Sequence, residues 1–210
     1  MKNRRPILLA ALSLGGLAVL LAAWRTGILL RPTAGMNDTR TADHPAASTW
    51  AQPLTLPGVP NLHRVSPGLF RGAQPTAEGM EQLPRLGITT IVNLRSLHSD
   101  RDEIGALPLD YEHIAMKTWE AEDEEVVRFL RIVTNPSRGP VFVHCQRGAD
   151  RTGTMCAIYR VVIQGWTKDQ AVAEMTQGGF GFYEGWQNLI DYVRHLDVER
   201  IEAQAGLSTN

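Results

Sequence analysis

Apolar positions along the chain fall into three regimes. From Pro6 to Trp24 they are almost continuous. From residue 32 to about 60 they show neither a period of two nor one of 3.6, and Pro, Thr, Ala and Asp dominate. From Asn61 onward, short β-branched runs alternate with stretches of helical spacing. Asn61–Val65 and Gly68–Arg71 read as two short strands around a Ser66-Pro67-Gly68 turn. Gln74-Pro75-Thr76 introduces a helix to about Leu86, with Thr76 as N-cap and Gly87 as terminator. Ile88 to Leu94 is a buried strand, and Arg95 to Asp110 is a polar loop with room for a short helix. Tyr111 to Met116 alternates as a strand does, and Lys117 to Glu122 is a loop. Asp123 to Thr134 is a helix burying Val126, Val127, Phe129, Leu130 and Val133. A turn at Asn135–Pro140 leads to the strand Val141–His144. Further helices follow: Thr154–Gln164, one capped by Thr167 that carries Ala171, Val172 and Met175, and Trp186–Leu196. Strands alternating with helices predict an α/β fold, a central mostly parallel sheet with helices on both faces.

The first regime reads as a membrane-targeting segment, residues 1–31. Lys2, Arg4 and Arg5 flank a run that would span roughly 28 Å as a helix, close to a bilayer core. Trp24 and Arg25 suit the far interface, and the positive flank predicts the N-terminus inside and the remainder outside. A transmembrane anchor and a cleaved signal peptide both fit this pattern; the length of the run and the lack of a clean Ala-x-Ala site favour the anchor. Residues 32–60 are a linker, 61–198 the catalytic domain and 199–210 a C-terminal tail. The implied location is a bacterial inner membrane with the domain in the periplasm, or the periplasm itself after cleavage.

Composition narrows the chemistry. A net charge of −1 gives no basic face for nucleic acid. The two cysteines, Cys145 and Cys156, exclude a disulfide framework and a four-cysteine metal site. The six histidines are scattered and form no helical metal-ligand pair. No metal and no cofactor is expected.

The chemistry concentrates in Val141-Phe142-Val143-His144-Cys145-Gln146-Arg147-Gly148-Ala149-Asp150-Arg151-Thr152-Gly153. This is a buried strand, a tight loop and a helix N-terminus, an arrangement that turns backbone N–H groups toward an anion. Cys145 lies at the bottom of the cradle, where the helix N-terminus and Arg151 favour the thiolate. Arg151 carries a planar fork that matches phosphate bidentately. Thr152 can donate to the sulfur as it leaves, and His144 orients the loop. Gln146, Arg147, Gly148, Ala149, Asp150 and Arg151 form the phosphate-binding run. The implied reaction is attack of the thiolate on phosphorus, then hydrolysis of a phosphocysteine. A general acid must protonate the leaving oxygen. Glu120, Glu122, Asp123 and Glu124 cluster ahead of a helix, with Asp123 favoured, although acids there also stabilise a helix dipole. Arg71 and Arg95 are either rim residues or solvated strand ends. Trp119, Phe180 and Phe182 either border the substrate or pack the core. Cys156 reads as a small buried hydrophobe, with a regulatory disulfide to Cys145 conceivable.

The motif His144-Cys145-x-x-Gly148-x-x-Arg151-Thr152-Gly153 resembles the signature of the cysteine-dependent protein tyrosine phosphatases. Leu69-Phe70-Arg71-Gly72-Ala73-Gln74-Pro75 and Val92-Asn93-Leu94-Arg95 resemble the compact dual-specificity branch. Tyr159 to Trp166 and Glu174 to Gly181 are similar to its bacterial exported members. The resemblance covers roughly residues 61–198. It implies a dual-specificity phosphatase-like domain in which Cys145 is the nucleophile, Arg151 the phosphate ligand, and Gln146 to Arg151 the backbone donors. The general acid does not carry over to a single residue. The implied substrates are phosphorylated proteins, phosphotyrosine first and phosphoserine or phosphothreonine second. Phospholipid or inositol phosphate head groups, and a catalytically weak phosphate-binding docking module, are the alternatives.

Overall fold

The computed structural model of the chain describes residues 50–207. Six strands form one sheet: β1 (Gln52–Pro53), β2 (His63–Ser66), β3 (Leu69–Gly72), β4 (Thr90–Arg95), β5 (Asp110–Met116) and β6 (Val141–His144). Their order across the sheet is β1-β2-β3-β6-β4-β5. The pairings among β3, β6, β4 and β5 are parallel, whereas β1, β2 and β3 form an antiparallel meander. The sheet is therefore mixed rather than mostly parallel. The two-residue Pro67-Gly68 connection is too short for a crossover, so β2 and β3 have to run antiparallel.

Among the described residues seven α-helices cover the sheet: α1 (Ala77–Gln82), α2 (Arg101–Ile104), α3 (Asp123–Val133), α4 (Asp150–Gln164), α5 (Lys168–Gln177), α6 (Gln187–Arg194) and α7 (Val198–Ala205). Successive strand residues point to opposite faces, and this divides the core. Phe70, Ile91 and Phe142 pack with Leu62, Met80, Leu83, Ile88 and Ile104 beneath α1 and α2. Leu69, Val92, Leu94, Val141 and Val143 face the larger cluster built from α3 to α7, with Phe129, Leu130, Met155, Ile158, Leu189 and Ile201. Helices on both faces, as expected, hold β6 at the centre of the sheet between β3 and β4.

Both edges of the domain extend beyond the expected 61–198. Ahead of it, Gln52 and Pro53 pair with Arg64 and His63, and Ala51 and Val59 are buried. Behind it, Asp197 caps α7, whose Ile201 is fully buried, so packed helix continues past 198 to Ala205. Among the described residues no helix is long and apolar enough to cross a membrane. The segment 1–31 and most of the linker expected at 32–60 lie outside the described residues.

A buried ion pair ties the N-terminal edge to the helices. Arg160 Nε and Nη2 donate to the two Glu174 oxygens at 2.7 Å each, and the Ala51 amide donates to Glu174 Oε1 at 2.6 Å. Removing one partner leaves the other buried and unpaired, which costs several kcal/mol. Glu174→Ala is expected to destabilise the domain by about 3–5 kcal/mol, read as a fall in Tm of roughly 10 °C.

Candidate active site

The site forms where β6 ends and α4 begins. The helix starts at Asp150, four residues earlier than its apolar pattern indicates, so Arg151, Thr152 and Gly153 sit in its first turn. Its N-cap, Ala149, has no capping side chain, which leaves the first-turn N–H groups without a side-chain acceptor there. Cys145 is 2% exposed at the base of the loop. Gly148 must be glycine. Its φ is 68°, and a Cβ there would stand 2.3 Å from the carbonyl carbon and oxygen of Gly72.

Three successive loop carbonyls are turned away from the cradle and held from outside it. Gln146 O accepts from the Gln74 amide at 3.3 Å, Arg147 O from Asn61 Nδ2 at 3.0 Å, and Gly148 O from Arg71 Nη2 at 2.8 Å. In a trans peptide the carbonyl of one residue and the N–H of the next point in opposite directions. Anchoring these carbonyls therefore aims the N–H groups of Arg147, Gly148 and Ala149 at the concave side. The Asp150 carboxylate accepts from the Arg147 guanidinium at 2.7 Å and the Tyr183 amide at 2.8 Å, which closes the outer wall of the loop.

Arg151 is 8% exposed, and its Nη1 donates to Leu94 O at 3.2 Å and Met116 O at 3.4 Å, at the ends of β4 and β5. It lines a cleft of about 350 Å³ together with Gln146, Arg95, Ser96, Leu97, His98 and Thr118. The Thr152 hydroxyl is fully buried and has no hydrogen-bond partner among the described residues. His144 is completely buried. Its Nε2 donates to Asp100 Oδ2 at 2.7 Å, and its Nδ1 lies 3.3 Å from the Cys145 carbonyl. These contacts engage both ring nitrogens of His144. Burial would raise the Asp100 carboxyl, but His144, through its hydrogen bond and charge, and Gln74, through a second hydrogen bond, hold it below the usual carboxylate range.

Asp123 opens α3 and is bonded to the two C-terminal helices. Its carboxylate accepts from the Tyr192 hydroxyl at 2.7 Å and from the Arg200 guanidinium. Burial pushes this carboxyl up, yet those two partners outweigh it and keep it below the ordinary range. A group held ionised and bonded to residues of α6 and α7 is a poor proton donor, which weighs against the expectation for Asp123. Glu122 caps α3, exchanging hydrogen bonds with Glu125 in a capping box. Glu120 is half exposed, paired with Lys117 at 2.8 Å on the β5–α3 loop.

Sequence reading did not find Asp100, an acid in a polar loop with no periodic neighbour, which only folding sets against His144. It named Arg71 without choosing between rim and solvent, and Arg71 proves to be 1% exposed beneath the loop. Arg95 is at the rim, donating to Gln74 Oε1 at 3.0 Å. Trp119 is 55% exposed, while Phe180 is buried and stacks under Arg71. Cys156 is buried on α4, where desolvation pushes its thiol up to about 11, as befits a packing residue.

Residues 63–187 match the family described as DSP-PTPase phosphatase fused to NAD+ kinase. The chain is 37% identical over 187 residues to the dual specificity protein phosphatase TpbA of Pseudomonas aeruginosa, covering 89% of this chain and 83% of that protein. The crystal structure of P. aeruginosa TpbA is similar with a TM-score of 0.67 at 36% identity, over 75% of this chain and 97% of that one. A structure of its Cys-to-Ser variant in complex with phosphotyrosine has the same TM-score of 0.67 at 35% identity, over 76% and 98%. The catalytic core of the PP-IP phosphatase SIW14 from S. cerevisiae, at 18% identity and a TM-score of 0.62 over 74% and 98%, shares the fold.

Proposed function

We infer the action of this chain from its membership of the DSP-type protein tyrosine phosphatases, the family to which it belongs. It is a cysteine-dependent protein phosphatase that hydrolyses phosphomonoesters through a phosphocysteine intermediate. The Cys145 thiolate attacks phosphorus, the bond to the leaving oxygen breaks, and water then releases inorganic phosphate and regenerates the thiolate. The N–H groups aimed inward by the anchored carbonyls, and the Arg151 fork, meet the equatorial oxygens where charge accumulates.

The substrate we propose is phosphotyrosine on a protein. The observation that carries this is the cleft of about 350 Å³ above Arg151 and Gln146, with the fully exposed Leu97 on its wall. It offers an apolar side chain to a ring whose phosphate reaches the cradle. The phosphotyrosine complex of TpbA supports the same reading. The test is a panel of phosphotyrosine, phosphoserine and phosphothreonine peptides against phosphoinositide micelles. Faster turnover of the micelles would overturn it.

For the general acid we propose Glu120. It stands two residues after Thr118, which lines the cleft, its partner Lys117 is an exposed residue of the same loop, and the neighbouring acids Glu122 and Asp123 are engaged with α3, α6 and α7. Glu120→Gln is expected to lower kcat on phenyl phosphate by about 100-fold and to leave p-nitrophenyl phosphate, with its better leaving group, nearly unaffected. Asp123→Asn should reduce Tm and show the wild-type dependence on leaving group. The reverse pattern would return the role to Asp123.

The basic flank and apolar run of residues 1–31 support a single-pass anchor that holds the domain on the periplasmic side of an inner membrane. Membrane fractionation of the full chain against residues 32–210, with a compartment-sensitive reporter fused at the C-terminus, tests both parts. Recovery of the full chain in the soluble fraction would exclude the anchor.

A further inference from the structure

Arg71 is the largest fully buried side chain among the described residues and is 1% exposed. No carboxylate lies within ion-pair distance of it among the described residues. The nearby Glu174 is bound through both oxygens by Arg160. Arg71 therefore rests on one carbonyl, Gly148 O at 2.8 Å, and on the face of Phe180, with its carbon Cζ 3.7 Å from the ring centroid; its Nε has no partner. A buried cation without a counter-ion is costly, and a fold keeps one only where an anion compensates it. Its position indicates which anion. Arg71 lies on β3 directly beside Val143 of β6, two residues from Cys145. A Cβ at Gly153, in the first turn of α4, would stand 3.6 Å from Arg71 Nη2. The guanidinium thus sits between the loop turn and the helix N-terminus, underneath the cradle.

We propose that Arg71 is the positioning residue of the phosphate cradle: it pins the Gly148–Ala149 peptide so that the Ala149 N–H faces substrate, and its buried charge is compensated by the Cys145 thiolate and the bound oxyanion. In this role Arg71 acts on the cradle and not on the phosphoryl group itself. It acts by fixing one amide donor and by adding a second positive charge, behind the sulfur, to that of Arg151 in front. This role rests on the phosphatase reading. It explains why a strand residue that alternation alone would leave as an ordinary core position is an arginine. Asn61 does the same for the preceding peptide, holding Arg147 O and Phe180 O at 3.0 Å each. Phe180 is thereby locked over the Arg71 fork.

The experiment uses the full chain as Arg71→Met, Arg71→Lys and Phe180→Leu, with tungstate as the oxyanion probe. In Arg71→Met the tungstate inhibition constant is expected to rise by about 10-fold or more. Alkylation of Cys145 by iodoacetamide at pH 6 should slow by about 10-fold. Both kcat and the apparent affinity for p-nitrophenyl phosphate should fall. Arg71→Lys keeps the charge without the fork, so it should recover alkylation more fully than tungstate binding. A packing role would lower Tm and leave the folded protein's tungstate affinity and alkylation rate unchanged; that result overturns the proposal. If Arg71→Met does not fold, Arg71→Lys and Phe180→Leu decide it by the same two readouts, and wild-type values in both refute it. Failure of the phosphatase reading would look different, with the wild-type chain itself inert toward aryl phosphate.

Discussion

Cys145→Ser is expected to abolish hydrolysis of p-nitrophenyl phosphate, with a loss of about 10⁴-fold or more, and to leave binding of a phosphotyrosine peptide intact. The two effects separate because the cradle and the nucleophile are different parts of the site. In the proposed site, binding rests on the amides of Arg147, Gly148 and Ala149, aimed by the carbonyl anchors at Gln146, Arg147 and Gly148. None of these involves the sulfur. A serine hydroxyl in the same place is weakly nucleophilic, since the positive surroundings that favour a thiolate are far from sufficient to ionise an alcohol. Rates measured with aryl phosphate, set beside binding by calorimetry, check this. A serine variant that retains more than about 1% of the wild-type rate would mean that Cys145 is not the nucleophile.

Arg151→Lys is expected to lower kcat/KM by about 10²–10³-fold, although it conserves charge. Arg151 gives Nη1 to the carbonyls of Leu94 and Met116, so the side chain is fixed from below by the ends of β4 and β5. The guanidinium plane is set before substrate arrives, and little rotamer freedom is left to lose on binding. Lysine has neither the second nitrogen to meet two phosphate oxygens nor a plane to be set. The loss should fall on kcat as well as KM, because the equatorial oxygens carry more charge in the transition state than in the ground state. A variant with unchanged kcat and raised KM would reduce Arg151 to a ground-state ligand.

The elements around the site were legible because each carries a local signal. The β-branched run at β4, the Thr76 cap that accepts from Gly79, and Gly165 in a left-handed conformation at the end of α4 all act over a few residues. The same holds for the loop, where spacing alone places Cys145, Gly148 and Arg151 on a strand-turn-helix. The start of α4 was missed because Asp150, Arg151 and Thr152 are polar and carry no apolar period, although all three are buried. β1 was missed because two residues, one of them proline, make no pattern; they form an edge strand only because β2 is there to pair. α7 was missed because Val198, Ile201 and Ala205 resemble a polar tail until α3 supplies the face they pack on.

Asp123 marks the boundary most clearly. In the sequence it is one of four acids before a helix, and its neighbours do not tell them apart. In the fold Tyr192 and Arg200, 69 and 77 residues away, occupy its carboxylate. Arg71 moves the other way, from a strand-end charge to a buried cation bonded to the Gly148 carbonyl. The sequence by itself determined the reaction, because the nucleophile, the turn and the phosphate fork lie within seven residues and local backbone geometry converges them. Tertiary structure alone decided which distant charges support that reaction and which are committed elsewhere, because a charge's role depends on its burial and its partner, and both are set by residues far along the chain.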